Sequence, residues 1–420
     1  MNSTSRIMTL LGCAVFQAAC GGGSSSATPS PPPPPAAGLS TGPADCVGSL
    51  AADFACSGIA LRKRVPNGDM GGGNGNDIWG WVDPMDAREY AIMGLTNGVA
   101  FVDVSDPENP VFLGRLPTNT VDSTWRDMKV YFNHAFVVAD GASAHGMQVF
   151  DLTRLRNVAA PQEFTADAIY SLFTNAHNLA INEDTGFAYA VGTNTCDEGL
   201  HMVDISIPTM PVMAGCYDEA DIHDTQCVSY QGPDADYAGR EICFNSAATN
   251  TTNNLPVGTH NLGIVDVTVK SAPVTVFELD YPQAGFAHQG WLTEDHRFFL
   301  LGDEADETTF SVPTRTHVFD VTDLDAPLYV YAFDAATTSI DHNLYVFGNR
   351  VYQANYTSGV RILEFNNLAN MDLMEVGFFD TFPASDATGF DGVWSVYPFF
   401  PSGNIIASDD ANGLFVLTPQ

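Results

Sequence analysis

Four of the ten histidines recur at one position of a sequence repeat and are the residues best suited to chemistry. They are His177, His223, His288 and His342. If the repeat places them on the first strands of consecutive units around a central channel, the imidazoles converge. Imidazoles with carboxylates suit a divalent transition metal, and an open coordination position would activate water. The alternative, which we favour, is a structural hydrogen-bond network between neighbouring units.

The densest acidic run, residues 302–307, is a second candidate metal site. Asp303, Glu304 and Asp306 offer the oxygen ligands that Ca²⁺ prefers. Their spacing is not that of an EF-hand loop, so a solvated acidic loop is the simpler interpretation. The sequence contains neither a serine-nucleophile elbow nor a phosphate-binding glycine loop. We therefore assign no catalytic residue and favour a protein that is not an enzyme.

A repeat positions these residues. Each copy is a short apolar stretch that ends in an acidic residue, and a turn follows it. Six copies and a truncated seventh begin at Gly98, Gly146, Gly199, Asn261, Thr316, Gly359 and Gly413. The apolar runs are rich in the β-branched and aromatic residues that favour strands, and the acid can accept backbone N–H groups to start a turn. Four strands in each of seven repeats predict an all-β fold, a seven-bladed β-propeller.

A Trp or His in the first strand of each repeat gives the same count of seven. The residues that we take as equivalents are Trp79, Trp125, His177, His223, His288, His342 and Trp394. The last repeat stops after its third strand, so we expect the N-terminal segment Ile59–Val65 to supply the outer strand and close the ring. Its Arg62 and Arg64 are expected to face water and protect an exposed sheet edge.

The N-terminal residues predict export. Residues 1–20 carry a single charge, at Arg6, and an apolar stretch too short to span a bilayer, which is typical of a lipoprotein-type signal peptide. We expect lipidation at Cys20, with ordinary secretion as the alternative. Residues 21–44 form a Gly/Ser/Pro-rich tether, and residues 45–420 form the propeller.

Six further cysteines predict disulfides, because their number is even and the chain carries an export signal. Pairing between neighbours in the sequence gives Cys46–Cys56, Cys196–Cys216 and Cys227–Cys243. The formal net charge of −34 argues against nucleic acid or anionic lipid as a partner. We therefore expect contact with a membrane through the lipid anchor only.

The repeats and several longer strings resemble the LVIVD-repeat proteins, specifically the choice-of-anchor B group. The strings are Trp125–Tyr131, His145–Leu152, Gly232–Tyr237, His288–Trp291, Asp341–Tyr345 and Tyr397–Asn404. The resemblance covers about residues 45–420. It implies a propeller-like domain on a surface or exported protein, and it implies no particular reaction.

Two classes of function follow. The first is an exported, lipid-anchored propeller of the cell envelope, a non-catalytic binding or scaffold module for a protein or glycan at the cell surface. The second is a metal-dependent hydrolase or oxidoreductase that uses the channel histidines. Ca²⁺ or a transition metal is the only cofactor that the sequence suggests, at the histidines or at the acidic run.

Overall fold

The computed structural model describes residues 38–247 and 261–420, and it confirms a seven-bladed β-propeller. The first strands of the seven blades contact one another in chain order, and the last of them contacts the first, which closes a ring around a central channel. The predicted signal peptide, Cys20 and most of the predicted tether lie outside the described residues. Among the described residues, no helix is long and apolar enough to cross a membrane.

Each blade is an antiparallel sheet of four strands, and blades 1 and 6 carry additional short strands. Blade 1 is Gly75–Val82, Glu89–Leu95, Gly98–Asp103 and Val111–Pro117, with Gln162–Glu163 added in parallel. Blade 2 is Arg126–Tyr131, His134–Ala139, Met147–Asp151 and Ala168–Tyr170. Blade 3 is Asn178–Asn182, Phe187–Val191, Leu200–Asp204 and Val212–Tyr217. Blade 4 is Ile222–Ser229, Glu241–Ala247, Leu262–Asp266 and Val274–Leu279.

Blade 5 is Ala287–Leu292, Phe298–Asp303, Arg315–Asp320 and Leu328–Asp334. Blade 6 is Leu344–Phe347, Arg350–Ala354, Val360–Glu364 and Met374–Phe379, followed by Phe54–Ser57 and Leu50–Ala51 at its outer edge. Blade 7 is Val393–Tyr397, Ile405–Asp409, Gly413–Pro419 and the N-terminal Ile59–Val65. The described helices are the α-helix Asp306–Phe310 and the short 3₁₀ turns Asn67–Met70, Leu152–Leu155, Cys196–Glu198 and Leu368–Asn370.

The ring closes as the sequence predicts. Ile59–Val65 pairs antiparallel with Gly413–Pro419 and becomes the outer strand of blade 7. Backbone hydrogen bonds therefore join the N-terminal segment to the C-terminal strand. Opening the ring would leave the backbone N–H and C=O groups of both strands unpaired.

The outer edge of this strand is not open to water, and the prediction for Arg64 is wrong. Ala44 and Leu61 exchange backbone hydrogen bonds, so the preceding segment covers the edge. The Arg64 side chain is buried and donates to the backbone carbonyls of Leu39, Ser40 and Asn412. Its guanidinium therefore satisfies three carbonyl groups at the place where the N-terminal and C-terminal segments meet. Only Arg62 behaves as expected, as a partly exposed residue paired with nearby acids.

In four of the repeats the acid at the end starts a turn through its side chain. The carboxylates of Asp103, Asp204, Asp266 and Asp320 each accept the backbone N–H two residues later at 2.9–3.0 Å. These hydrogen bonds fix the turn in which the chain reverses direction between the third and fourth strands of these blades. This is the physical origin of the repeat.

Aromatic side chains fill the spaces between blades. Phe101 of blade 1 stacks on Phe150 of blade 2 with ring centroids 4.7 Å apart, and Phe244 of blade 4 stacks on Phe299 of blade 5. Between blades 7 and 1 the fit requires a glycine, because a Cβ at Gly80 would lie 2.1 Å from the Tyr397 ring. The core is therefore divided among the blade interfaces, as in other repeat folds.

All six cysteines after the predicted tether are in disulfides, in the pairs Cys46–Cys56, Cys196–Cys216 and Cys227–Cys243. Cys227 and Cys243 face each other across the first two strands of blade 4. Three disulfides suit an oxidising, extracellular compartment.

Candidate functional site

Four imidazoles form a continuous column in the central channel. We call His177, His223, His288 and His342 the histidine column. Successive ring centroids lie 4.5, 4.4 and 4.1 Å apart, and all four side chains are buried. His223 and His288 belong to the first strands of blades 4 and 5, whereas His177 and His342 precede those of blades 3 and 6. The repeat position therefore brings the four side chains together.

The hydrogen bonds of the column leave Nε2 atoms free to bind a ligand. The Nδ1 atom of His342 lies 2.5 Å from the carbonyl oxygen of Trp394, and that of His288 lies 3.3 Å from the carbonyl oxygen of His342. A carbonyl only accepts, so each Nδ1 carries the hydrogen and each Nε2 has a lone pair. A metal-binding histidine is usually held in one tautomer by a hydrogen bond that its other ring N–H donates to a carbonyl or carboxylate.

Burial keeps three of these imidazoles neutral. It lowers the pKa of His342 to about 3 and the pKa values of His223 and His288 well below the ordinary value. A metal ion binds neutral imidazole, so these three side chains are in the protonation state that binding requires.

A carboxylate from the acidic run reaches two members of the column. The oxygens of Glu304 lie 3.9 Å from Nε2 of His288 and 3.8 Å from Nε2 of His342. The Tyr356 hydroxyl donates to Glu304 at 2.7 Å, and burial raises the pKa of Glu304 to about 7. Two imidazoles and one carboxylate match the donor set of a borderline divalent transition metal. His177 and His223 are not part of this group.

The acidic run is buried, so the expectation of a solvated loop is wrong. Asp303, Glu304, Asp306 and Glu307 are each at most 3% exposed. The run does not form one site, because its side chains point to different places. Glu304 faces the histidines, whereas Asp303 accepts hydrogen bonds from the Tyr281 hydroxyl and from backbone N–H groups.

The remaining acids of the run meet a residue from blade 6. Oxygens of Asp306, Glu307 and Asp341 lie within 4.8 Å of one another, and we call this group the carboxylate cage. Gly302 permits the approach, since a Cβ there would lie 2.3 Å from an oxygen of Asp341. Burial and the neighbouring acids raise the pKa of Glu307 to about 11 and that of Asp341 well above its usual range.

A further cluster, buried at Asp77 and Asp127 and partly buried at Lys129 and Asp224, was not predicted. Lys129 forms ion pairs with Asp127 and, at 3.7 Å, with Asp77, and Asp224 lies in the same part of the channel. We call these four residues the lysine cluster. Asp127 and Lys129 alternate on one strand and therefore share a face, a signal that the sequence does contain.

Aromatic side chains gather further along the same first strands, towards the other end of the channel. Trp79, Trp291 and Tyr345 pack edge to face around a pocket, and Phe399 and Phe347 extend the group. We call these five residues the aromatic mouth. Trp79, which we took as equivalent to the histidines, lies here instead. In blade 1 the residue nearest the histidine position is Asn76, where the first strand is irregular.

Comparisons with known proteins agree on the fold. The LVIVD repeat model matches residues 89–118 and 175–219. Hydrazine synthase of Kuenenia stuttgartiensis is 12% identical with a TM-score of 0.52, covering 78% of this chain and 91% of that one. The Cps50 (Swd1) β-propeller domain of Myceliophteria thermophila is 10% identical with a TM-score of 0.52, covering 83% and 98%. No curated protein matches the sequence. Identities this low carry the fold alone: the chain is a β-propeller, and two of its segments match the LVIVD repeat.

Proposed function

We propose that this protein is an exported, lipid-anchored propeller of the cell envelope that binds a glycan through the aromatic mouth and does not catalyse a reaction. The observation that carries this proposal is the group of aromatic rings at the end of the channel. Trp79, Trp291 and Phe399 are only partly buried, and Phe347 is 46% exposed. Exposed aromatic groups of this size on a rigid scaffold mark binding sites.

The chemistry of the mouth suits a sugar. Flat indole and phenyl faces offer apolar contact to the C–H faces of a pyranose, as they do to other ring systems. Gln226 and Glu183 line the same pocket and can bond to hydroxyl groups. Because the chain carries a formal net charge of −34, we expect a neutral or amino sugar and not an anionic glycan.

A glycan array on the soluble domain tests the proposal, with titration of any ligand found. Trp291→Ala and the milder Phe347→Ala should each weaken binding by about two- to tenfold, since an aromatic contact contributes roughly 0.5–1.5 kcal/mol. Phe132→Ala is the matched control, because Phe132 is an exposed aromatic residue in a turn of blade 2. Binding that survives both mouth variants, or an array without a ligand, would contradict the proposal.

The histidine column supports a second candidate, a metal-dependent hydrolase or oxidoreductase. His288, His342 and Glu304 supply its donor set. The burial of these side chains favours a structural ion over one that turns over a substrate.

Metal analysis of protein purified without chelators separates the two candidates. A content of less than about 0.1 equivalent of any transition metal would exclude the second candidate. An ion that belongs to a catalytic site binds tightly enough to remain in the protein through purification. A metal content that falls in His288→Ala and persists in the control His134→Ala would establish the site.

A further inference from the structure

We propose that the carboxylate cage, Asp306, Glu307 and Asp341, is a calcium site that joins blade 5 to blade 6. It shares no residue with the group of His288, His342 and Glu304, and it does not depend on the function proposed for the aromatic mouth. The three side chains are 0%, 3% and 2% exposed.

Four carboxylate oxygens of the cage lack donors among the described residues. Both carboxylate oxygens of Asp306, one of Glu307 and one of Asp341 are buried and accept no hydrogen bond from any residue that the structure describes. The other oxygens are used: Glu307 accepts the N–H of Asp341 at 3.3 Å, and Asp341 accepts the N–H of Asp303 at 3.2 Å. A buried polar atom without a partner costs about 1–3 kcal/mol, so this number of such atoms at one place points to a missing ligand.

Neighbouring basic side chains do not balance the charge of the cage. Arg315 Nη1 lies 3.9 Å from one oxygen of Asp306, but the same guanidinium binds Asp334 at 3.0 Å. His317 Nε2 lies 3.5 Å from Asp306. Both approach Asp306 alone, which leaves Glu307 and Asp341 without a nearby cation among residues 38–247 and 261–420. Either bound protons or a bound cation must neutralise them.

The geometry of the donors favours calcium over magnesium. Ca²⁺ binds oxygens at about 2.3–2.6 Å in a flexible shell, so one ion can contact donors on opposite sides that are nearly 5 Å apart. The cage atoms lie within 4.8 Å of one another, which such a shell accommodates. Mg²⁺ requires near-ideal octahedral geometry at about 2.0–2.1 Å and usually keeps several waters, so three buried carboxylates suit it less well. The donors are carboxylate oxygens, which do not favour a softer transition metal.

Bound calcium would hold two blades together. Asp306 and Glu307 belong to the helix Asp306–Phe310, which lies between two strands of blade 5. Asp341 precedes the first strand of blade 6. An ion that binds only this folded arrangement stabilises it by mass action.

Calcium content and thermal unfolding of the soluble domain test the proposal. After dialysis against calcium, the parent should retain about one equivalent, and calcium should raise Tm more than the same concentration of magnesium. Asp306→Asn and Glu307→Gln should lose the bound calcium and the response of Tm, whereas His288→Ala should keep both. Using two variants protects the test if one of them fails to fold.

The chain contains a matched control. Asp234, Asp323 and Asp325 form another group of three acids, but Asp323 and Asp325 are exposed. Asp323→Asn should therefore leave calcium binding unchanged. A parent that binds no calcium and shows no change in Tm would overturn the proposal and indicate carboxyls that share protons. Loss of calcium in Asp323→Asn would overturn it as well, because the ion would then lie at the surface group.

Discussion

Two groups of three carboxylic acids lie in the interior of the propeller, and they differ in whether a cation lies among them. The lysine cluster contains Asp77, Asp127 and Asp224, and the ammonium group of Lys129 lies among them. The carboxylate cage contains Asp306, Glu307 and Asp341, and within the described part of the chain no lysine forms an ion pair with it. Both groups lie in a fold whose overall charge is already strongly negative.

The pKa of one acid follows this difference. Burial alone would raise the pKa of Asp127, but the Lys129 ammonium and several hydrogen bonds hold it below the ordinary value, whereas burial raises the pKa values of Asp77 and Asp224. In the cage, burial raises the pKa values of Asp306, Glu307 and Asp341, and repulsion from neighbouring acids acts in the same direction. A buried cation therefore holds one acid of the lysine cluster ionised, whereas the cage requires protons or an external ion.

Removing the cation of the lysine cluster should have the largest effect. Lys129→Met keeps the length of the side chain and leaves buried carboxylates unpaired, which typically costs roughly 3–5 kcal/mol of unfolding free energy. Denaturant unfolding measures this loss. Lys63→Met is the control, since Lys63 is only partly buried on the outer strand of blade 7. A loss no larger than in the control would show that the acids of the cluster are already protonated.

Local signals predicted the architecture because several blades repeat the same turn chemistry. The Asp turns and the missing outer strand were sufficient to place seven blades and the closure by Ile59–Val65. The burial of Arg64 was not predictable, because the carbonyls that it binds belong to residues 39 and 40 and to Asn412 at the other end of the chain. Trp79 was misplaced because an aromatic residue on a first strand can lie at either end of the channel.

The candidate sites were predictable only where one repeat position supplied every member. The histidine column meets that condition. The cage does not, since Asp341 comes from blade 6 and the orientation of Asp306 and Glu307 depends on a single helical turn. We interpreted the acidic run as a solvated loop because the charge of these residues does not show whether the fold buries them.

Removing one acid of the lysine cluster should have a smaller effect than removing its lysine. Asp127 accepts the N–H of Leu179 from blade 3 at 2.7 Å as well as pairing with Lys129. Asp127→Asn should cost about 1.5–3 kcal/mol, the range for hydrogen bonds to a charged group. Asp122→Asn, at an exposed site nearby, should change stability little. Equal stabilities of the two variants would mean that the charge of Asp127 does not contribute to the unfolding free energy.

The same kind of change in the cage should have the smallest effect, and its sign should depend on calcium. Without calcium, the raised pKa of Glu307 keeps its carboxyl protonated at neutral pH, and Glu307→Gln replaces it with a neutral amide that needs no proton, so the unfolding free energy should stay within about 1 kcal/mol of the parent or rise.

With calcium, the parent gains stability that the variant lacks, and the order of the two proteins reverses. Unfolding of both proteins in chelator and in calcium measures this reversal, with Asp323→Asn as the control that should follow the parent in both conditions. If Glu307→Gln were destabilised as strongly in chelator as Asp127→Asn is, the cage would already be a neutralised network like the lysine cluster. The contrast between the two groups of acids would then disappear, and with it the reason to expect an external ion.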